Sequence, residues 1–178
     1  MRCYDVYMRR PPEDFNDSGV PLGYLITFRT YGTWLHGDPR GSVDRFHNIY
    51  GTPKLPPSPV RQKYERGLMK MPPVKLDSQR RTAVERSLRE TCSKRKWKLW
   101  ASSVRTEHVH SVVTAECRAL TVLQVLKAHA TRTMRESGCW PSERTPWSYR
   151  GSRKKLWTEK DLRDAIVYVK SGEGEPLL

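Results

Sequence analysis

Two histidines separated by one valine, in TEHVHSVVT at residues 106–114, are the residues of this chain best suited to chemistry. The run around them is rich in β-branched residues and reads as a strand. Strand side chains alternate between faces, so His108 and His110 share one face, roughly 7 Å apart along the strand, while Val109 and Val113 face the other way. Two imidazoles at that separation can chelate one metal ion; two surface histidines on a strand can also do nothing. A tyrosine near the C-terminus adds to the signal. Leu162, Ala165, Ile166 and Val169 recur as the buried stripe of a helix. At about 100° per residue, Tyr168 lies roughly 110° from the centre of that stripe, at the margin of the apolar face. A tyrosine there is either a boundary aromatic closing the core or a phenol presented to a site.

The elements that must hold these groups can be read in order. LGYLITFRTYGTWL, residues 22–35, predicts a first strand with a Gly-broken continuation. Residues 37–75 hold seven of the thirteen prolines and read as a long insertion or extended connection, with a short helix around VRQKYERGLM. Asp77 or Ser78 is a natural N-cap for a helix carrying Val84, Leu88 and Cys92 on its apolar side and ending near Lys94–Lys96. WKLWASSVR, 97–105, and HVHSVVTA, 108–115, are separated by Thr106 and Glu107 only, which predicts an antiparallel hairpin. Thr121 and Gln124 have capping-box spacing for the next helix, with the stripe Leu123, Leu126, Ala130 and Met134 and a stop at Gly138. A loop with two prolines and a short strand or further loop follow. The last helix opens with Thr158 and Asp161, again a capping-box pair, and stops at Gly172. The order predicts an α+β fold of the split βαβ, ferredoxin-like or RRM-like kind: an antiparallel sheet with helices on one face and the other face free for a substrate.

Composition bounds the partners. The chain has 178 residues, enough for one domain spanning 1–178 with the 37–75 excursion inside it. Thirty-three Lys and Arg against nineteen Asp and Glu give a formal net charge of +14, which favours a polyanion such as nucleic acid. The basic residues cluster in RQKYERGLMK at 61–70, SKRKWK at 93–98 and RGSRKK at 150–155. Lys98, Arg105, Arg150, Arg153, Lys154 and Lys155 are the candidates to grip a DNA backbone, and Trp34, Trp100, Trp147 and Trp157 those to stack on unpaired bases. The four cysteines are scattered, as expected of small buried thiols in a reducing compartment; a zinc site from Cys117, Cys139 and the histidines lacks ligand spacing. No apolar run approaches the roughly 20 residues that span a membrane. MRCYDVYMRRPPEDF has no apolar core, so no secretory signal is expected and the expected location is cytoplasmic.

VRTEHVHSVVT followed by a helix, and then RGSRKKLWTEKDLRDAIVYVKSGEGE, resembles the REP-associated tyrosine transposases. These belong to the single-tyrosine HUH superfamily, where HUH means His, apolar, His. The likeness runs from about Gly23 to Glu175, and TYGTWLHGDPRGSVDRFHNIYGTPKLPP is similar to the N-terminal half of one branch of that family. The resemblance implies a ferredoxin-like domain of HUH endonuclease type that cuts and rejoins single-stranded DNA, often beside a hairpin. It implies that His108 and His110 are metal ligands and that Tyr168 is the nucleophile. It also implies a polar third ligand within about a turn of the tyrosine, which falls on Glu173, with Ser171 nearby. Two residues depart from the family pattern. Glu173 stands where an amide is common, and Ser111 where an apolar residue is usual.

The chemistry explains why such a site needs these parts. Two neutral imidazoles and one carboxylate suit Mg²⁺ or Mn²⁺, and a divalent cation offsets the charge of a phosphodiester. Tyrosine suits a bond that must be remade, because the phosphotyrosine link conserves the energy of the broken one. Ionising a phenol at neutral pH costs roughly 4 kcal/mol, which nearby positive charge must offset. The main alternative is a domesticated, non-cleaving protein of the same fold that holds hairpin DNA or RNA. A replication initiator or relaxase fits less well, since the chain is short and has no P-loop. A hydrolase has no recognisable nucleophile elbow or triad here. Both a monomer and a homodimer fit the sequence.

Overall fold

A computed structural model describes residues 20–42 and 53–171. The elements run β1 (Gly23–Arg29), α1 (Pro59–Gly67), α2 (Ser78–Lys94), β2 (Lys98–Val104), β3 (His108–Thr114), α3 (Ala119–Glu136), β4 (Ser152–Leu156) and α4 (Glu159–Ser171). The four strands form one antiparallel sheet in the order β2-β3-β1-β4. The fold is α+β, as the sequence predicts.

The two faces of the sheet follow from alternation. Tyr24, Ile26 and Phe28 of β1 and Val109 and Val113 of β3 point to one side, where Val84 and Leu88 of α2 and Val122 and Leu126 of α3 close over them. Leu25 and Val112 point to the other, together with Ala101 and Leu156. The expectation of helices on one face holds for α2 and α3. Helix α4 instead lies across the second face, burying Ala165 and Val169 against Leu25, Ala101, Val112 and Leu156. Those apolar residues leave the second face too greasy to remain bare, and covering them is what carries α4 over the sheet. The face that holds the histidines is therefore part covered, not wholly open.

Caps fix the helix starts. Asp77 accepts from the Arg80 N–H at 2.9 Å. Thr158 and Asp161 form the expected reciprocal box: the Asp161 N–H donates to Thr158 Oγ1 at 3.0 Å, and the Thr158 N–H to Asp161 Oδ2 at 3.2 Å. The predicted Thr121–Gln124 box is not used. Helix α3 is capped three residues earlier, at an extended Arg118 with no side-chain cap, and runs from Ala119. Burial of Val122 and Leu123 sets that first turn against the sheet. Gly138, at φ +70°, ends α3 as predicted. The stop expected at Gly172 lies outside the described residues.

The first strand is shorter than predicted: regular pairing ends at Arg29, Thr30 makes a single bridge to Trp147, and the chain turns at Gly32 with φ +74°. Within the proline-rich excursion, α1 is capped by Ser58 with a proline at its start. The excursion is tied back to the end of β1. Tyr31 O accepts from the Val74 N–H at 2.9 Å, and Tyr31 Oη accepts from the Lys70 N–H at 2.9 Å.

Ser111 sits in the middle of the sheet, opposite Ile26 and Ser102 and fully buried. Its hydroxyl has no hydrogen-bond partner among the described residues. A buried unsatisfied hydroxyl costs free energy that an alanine would not, so Ser111→Ala should stabilise the fold by about 1 kcal/mol. Urea unfolding would check this; a lower midpoint would show that the hydroxyl is satisfied in solution.

Candidate active site at the histidine pair

Register places the candidate residues without any long loop. On β3, His108 and His110 face the same side; on β1, Arg29 lies opposite His108 and Thr27 opposite His110. Ser103 of β2 and Ser152 of β4 flank this row, through pairing with His110 and Thr27. The two imidazole centroids are 4.7 Å apart at an interplanar angle of 73°, closer than the Cα spacing alone suggests, because the rings lean together.

Helix α4 brings the tyrosine. With Ala165 and Val169 buried on the sheet, Tyr168 falls at the edge of the contact, half-buried, and its ring meets His110 at a centroid distance of 5.5 Å and an angle of 78°. The marginal position expected from the helical periodicity is thus the one facing the histidines.

One histidine is oriented by a neighbouring hydroxyl, and both are kept neutral by their surroundings. His110 Nδ1 and Thr27 Oγ1 are 2.8 Å apart, a hydrogen bond that fixes the orientation of the ring. Burial, His108, and the charges of Arg29 and Arg105 pull His110 down to about 4. Burial and the same two arginines also lower His108. Both rings are therefore neutral at pH 7, the form that binds metal. Thr27→Val should free the His110 ring and weaken Mn²⁺ affinity by about tenfold, the low end for loss of a ligand's supporting bond. Calorimetric titration with Mn²⁺ would check it, and unchanged affinity would show that Thr27 does not orient the ring.

Glu173, the third ligand implied by resemblance, lies outside the described residues. Among the described residues no three His, Cys, Asp or Glu side chains come together, so Cys117 and Cys139 do not join the histidines. Cys92 and Cys139 are buried and Cys117 half-buried, all as free thiols.

The basic candidates divide. Arg105 closes the β2–β3 hairpin, its N–H donating to His108 O at 2.8 Å, and its charge reaches both histidines. Lys154 pairs with Leu25 and so shares the histidine face; Arg153 and Lys155 pair with Ile26 and Tyr24 and project from the other face. Arg150 is exposed just before β4. Lys98 stands at the far end of β2, its Nζ 3.6 Å from the centre of the Trp100 ring. Trp157 follows Leu156, which pairs with Gly23, so it too lies at the end of the sheet away from His108.

Trp147 is not available for stacking on bases. It is buried, packs edge-on against Phe28 at 4.8 Å, and donates from Nε1 to Thr131 Oγ1 at 3.0 Å. Trp100 is half-buried and donates to Thr114 Oγ1 at 2.9 Å. Trp34 is half-exposed and stands beside the site, stacked on Arg29.

Arg29 is the site residue that sequence reasoning missed. Burial, and then Arg40, pull its guanidinium down to about 10, so it remains a cation at neutral pH; its charge interacts with Tyr168. A lone arginine at a strand end carries no distinguishing signal among thirty-three basic residues.

No family model matches the chain, and no curated protein does. Solved structures similar to it include two transposases. One is the crystal structure of a candidate transposase from Deinococcus radiodurans R1, at 12% identity and TM-score 0.47, with 90% of this chain and 97% of that one covered. The other is a REP-associated tyrosine transposase bound to a REP hairpin, at 12% identity and TM-score 0.46, with 93% of this chain and 72% of that one covered. Both neighbours are described as transposases. The likeness is one of fold. Among the described residues no helix is long and apolar enough to cross a membrane.

Proposed function

We propose that this protein is a metal-dependent single-stranded DNA endonuclease and strand transferase, a transposase that forms a 5′-phosphotyrosine intermediate at hairpin-associated sites. The observation that carries this reading is the meeting of Tyr168 with His110 at 5.5 Å between ring centroids, contributed by the last helix and a central strand. A phenol beside paired neutral imidazoles, in a protein of net charge +14, is an arrangement for phosphodiester chemistry.

His108, His110 and Glu173 would hold Mg²⁺ or Mn²⁺. Bound there, the cation would offset the negative charge on the phosphate oxygens. The rest belongs to the chain. Tyr168 Oη forms a bond to phosphorus while the bond from phosphorus to the 3′ oxygen breaks. The phenol loses its proton, the 3′ oxygen gains one, and the 5′ phosphate stays on the tyrosine. No oxidation or reduction is involved, and attack by a 3′-OH reverses the step. Arg105 and Lys154 would lead the strand across the histidine face.

The test is incubation with Mn²⁺ and a pool of single-stranded hairpin oligonucleotides. A slow-migrating band that survives denaturation and is lost with EDTA is expected. DNA binding with no such band under any divalent metal would overturn the reading in favour of a non-cleaving hairpin binder.

A further inference from the structure

Arg29 is a half-buried cation without an ion-paired acid among the described residues. It ends β1 on the face of Thr27 and His110, directly across from His108. Its Cζ lies 3.7 Å from the centre of the Trp34 ring, which Arg40 Cζ also approaches, at 4.3 Å. Two carboxylates, Asp38 and Glu107, interact with its charge. Asp38 is already engaged: Arg40 Nε donates to Oδ1 at 2.7 Å and Arg40 Nη2 to Oδ2 at 2.8 Å. Glu107 is beyond ion-pair distance, and among the described residues no carboxylate pairs with Arg29.

The surrounding wall is firmly tied. Trp34 Nε1 donates to Gly41 O at 2.7 Å, and Arg29 O accepts from the Ser148 N–H at 2.9 Å. Withdrawing a guanidinium part-way from water is costly unless an anion answers it, and an indole face orients the cation without neutralising it. The planar fork of N–H groups matches the oxygens of a phosphate. The charge stands across from His108, and it interacts with both histidines and with Tyr168.

We infer that Arg29 is a further catalytic residue, gripping the non-bridging oxygens of the phosphodiester that Tyr168 attacks, and that Trp34 is the positioning residue that aims it. This rests on the phosphotyrosine reading above. The guanidinium makes and breaks no covalent bond. It holds the phosphate in line and takes up charge that grows on its oxygens as the bond to the 3′ oxygen breaks.

The experiment uses the full chain, Mn²⁺ and the hairpin oligonucleotide pool, with the cleaved linkage mapped from the wild-type adduct. Arg29→Gln should slow adduct formation about 100-fold, as loss of one donor to a developing charge does. DNA affinity should stay within about threefold, because many other phosphate contacts remain. Arg29→Lys keeps the charge without the fork and should slow it about tenfold. A neutral methylphosphonate at the mapped linkage should slow the wild type far more than it slows Arg29→Gln, since the variant no longer has the contact to lose.

A wild-type rate in Arg29→Gln, or methylphosphonate effects of equal size in both proteins, overturns the inference and leaves the phosphotyrosine reading standing. Absence of any adduct from the wild type removes both. If Arg29→Gln does not fold, Arg29→Lys decides: slower adduct formation at unchanged affinity supports the contact, and the wild-type rate overturns it.

Discussion

Tyr168→Phe should abolish the covalent protein–DNA adduct and leave DNA affinity within about twofold of wild type, because the proposed backbone contacts lie on other residues. The substitution deletes one oxygen and keeps the ring. That ring packs edge-on to His110 and against the apolar cluster under α4, and a phenylalanine keeps both contacts. Stability should therefore change by no more than about 0.5 kcal/mol. Loss of adduct with fold and binding intact isolates the nucleophile. Denaturing gels report the adduct and fluorescence anisotropy the affinity. An adduct that persists in the phenylalanine variant would move the chemistry to another tyrosine, and Tyr149, 93% exposed on the loop before β4, is the next to test.

His110→Ala should nearly eliminate cleavage while sparing DNA binding. His110 is the ring at the centre of the site, touching His108 at 4.7 Å, Tyr168 at 5.5 Å and Thr27 through Nδ1. On the proposed reading, its removal would leave one imidazole to hold the cation. A metal that stabilises transition-state charge contributes several kcal/mol, and loss of about 4 kcal/mol slows a step about a thousandfold. The variant should also lose Mn²⁺ affinity in calorimetric titration. Rates that fall with metal affinity unchanged would assign His110 a role in proton transfer instead. Rates that do not fall would remove the histidine pair from the chemistry.

Much of the site was legible in the sequence because it depends on local periodicity. Alternation along β3 puts His108 and His110 on one face, and that is where they lie. The apolar stripe of α4 leaves Tyr168 at its margin, and the Thr158–Asp161 box starts that helix. What periodicity does not carry is which face of the sheet a helix will cover. Helix α4 crosses the histidine face because β4 pairs on the edge of β1, and because Leu25, Ala101, Val112 and Leu156 together make that face apolar. Those residues come from four separate strands, so the patch exists only after the sheet has formed.

Arg29 was hidden for a related reason. Its setting is made by Trp34, Asp38 and Arg40 in an irregular turn, whose side-chain directions no repeat encodes. The same irregularity concealed that Trp147 is a core residue. The basic run at 150–155 looked uniform in sequence; strand alternation divides it, sending Lys154 to the histidine face and Arg153 and Lys155 away.

The most direct measurement is mass spectrometry of the peptide carrying Tyr168, after incubation of the protein with Mn²⁺ and hairpin oligonucleotides and digestion of the unprotected DNA. The account predicts a nucleotide remnant joined to Tyr168 through a 5′ phosphate, formed only with divalent metal. A remnant on a different residue, or an unmodified Tyr168 in protein that has cut the DNA, would contradict it.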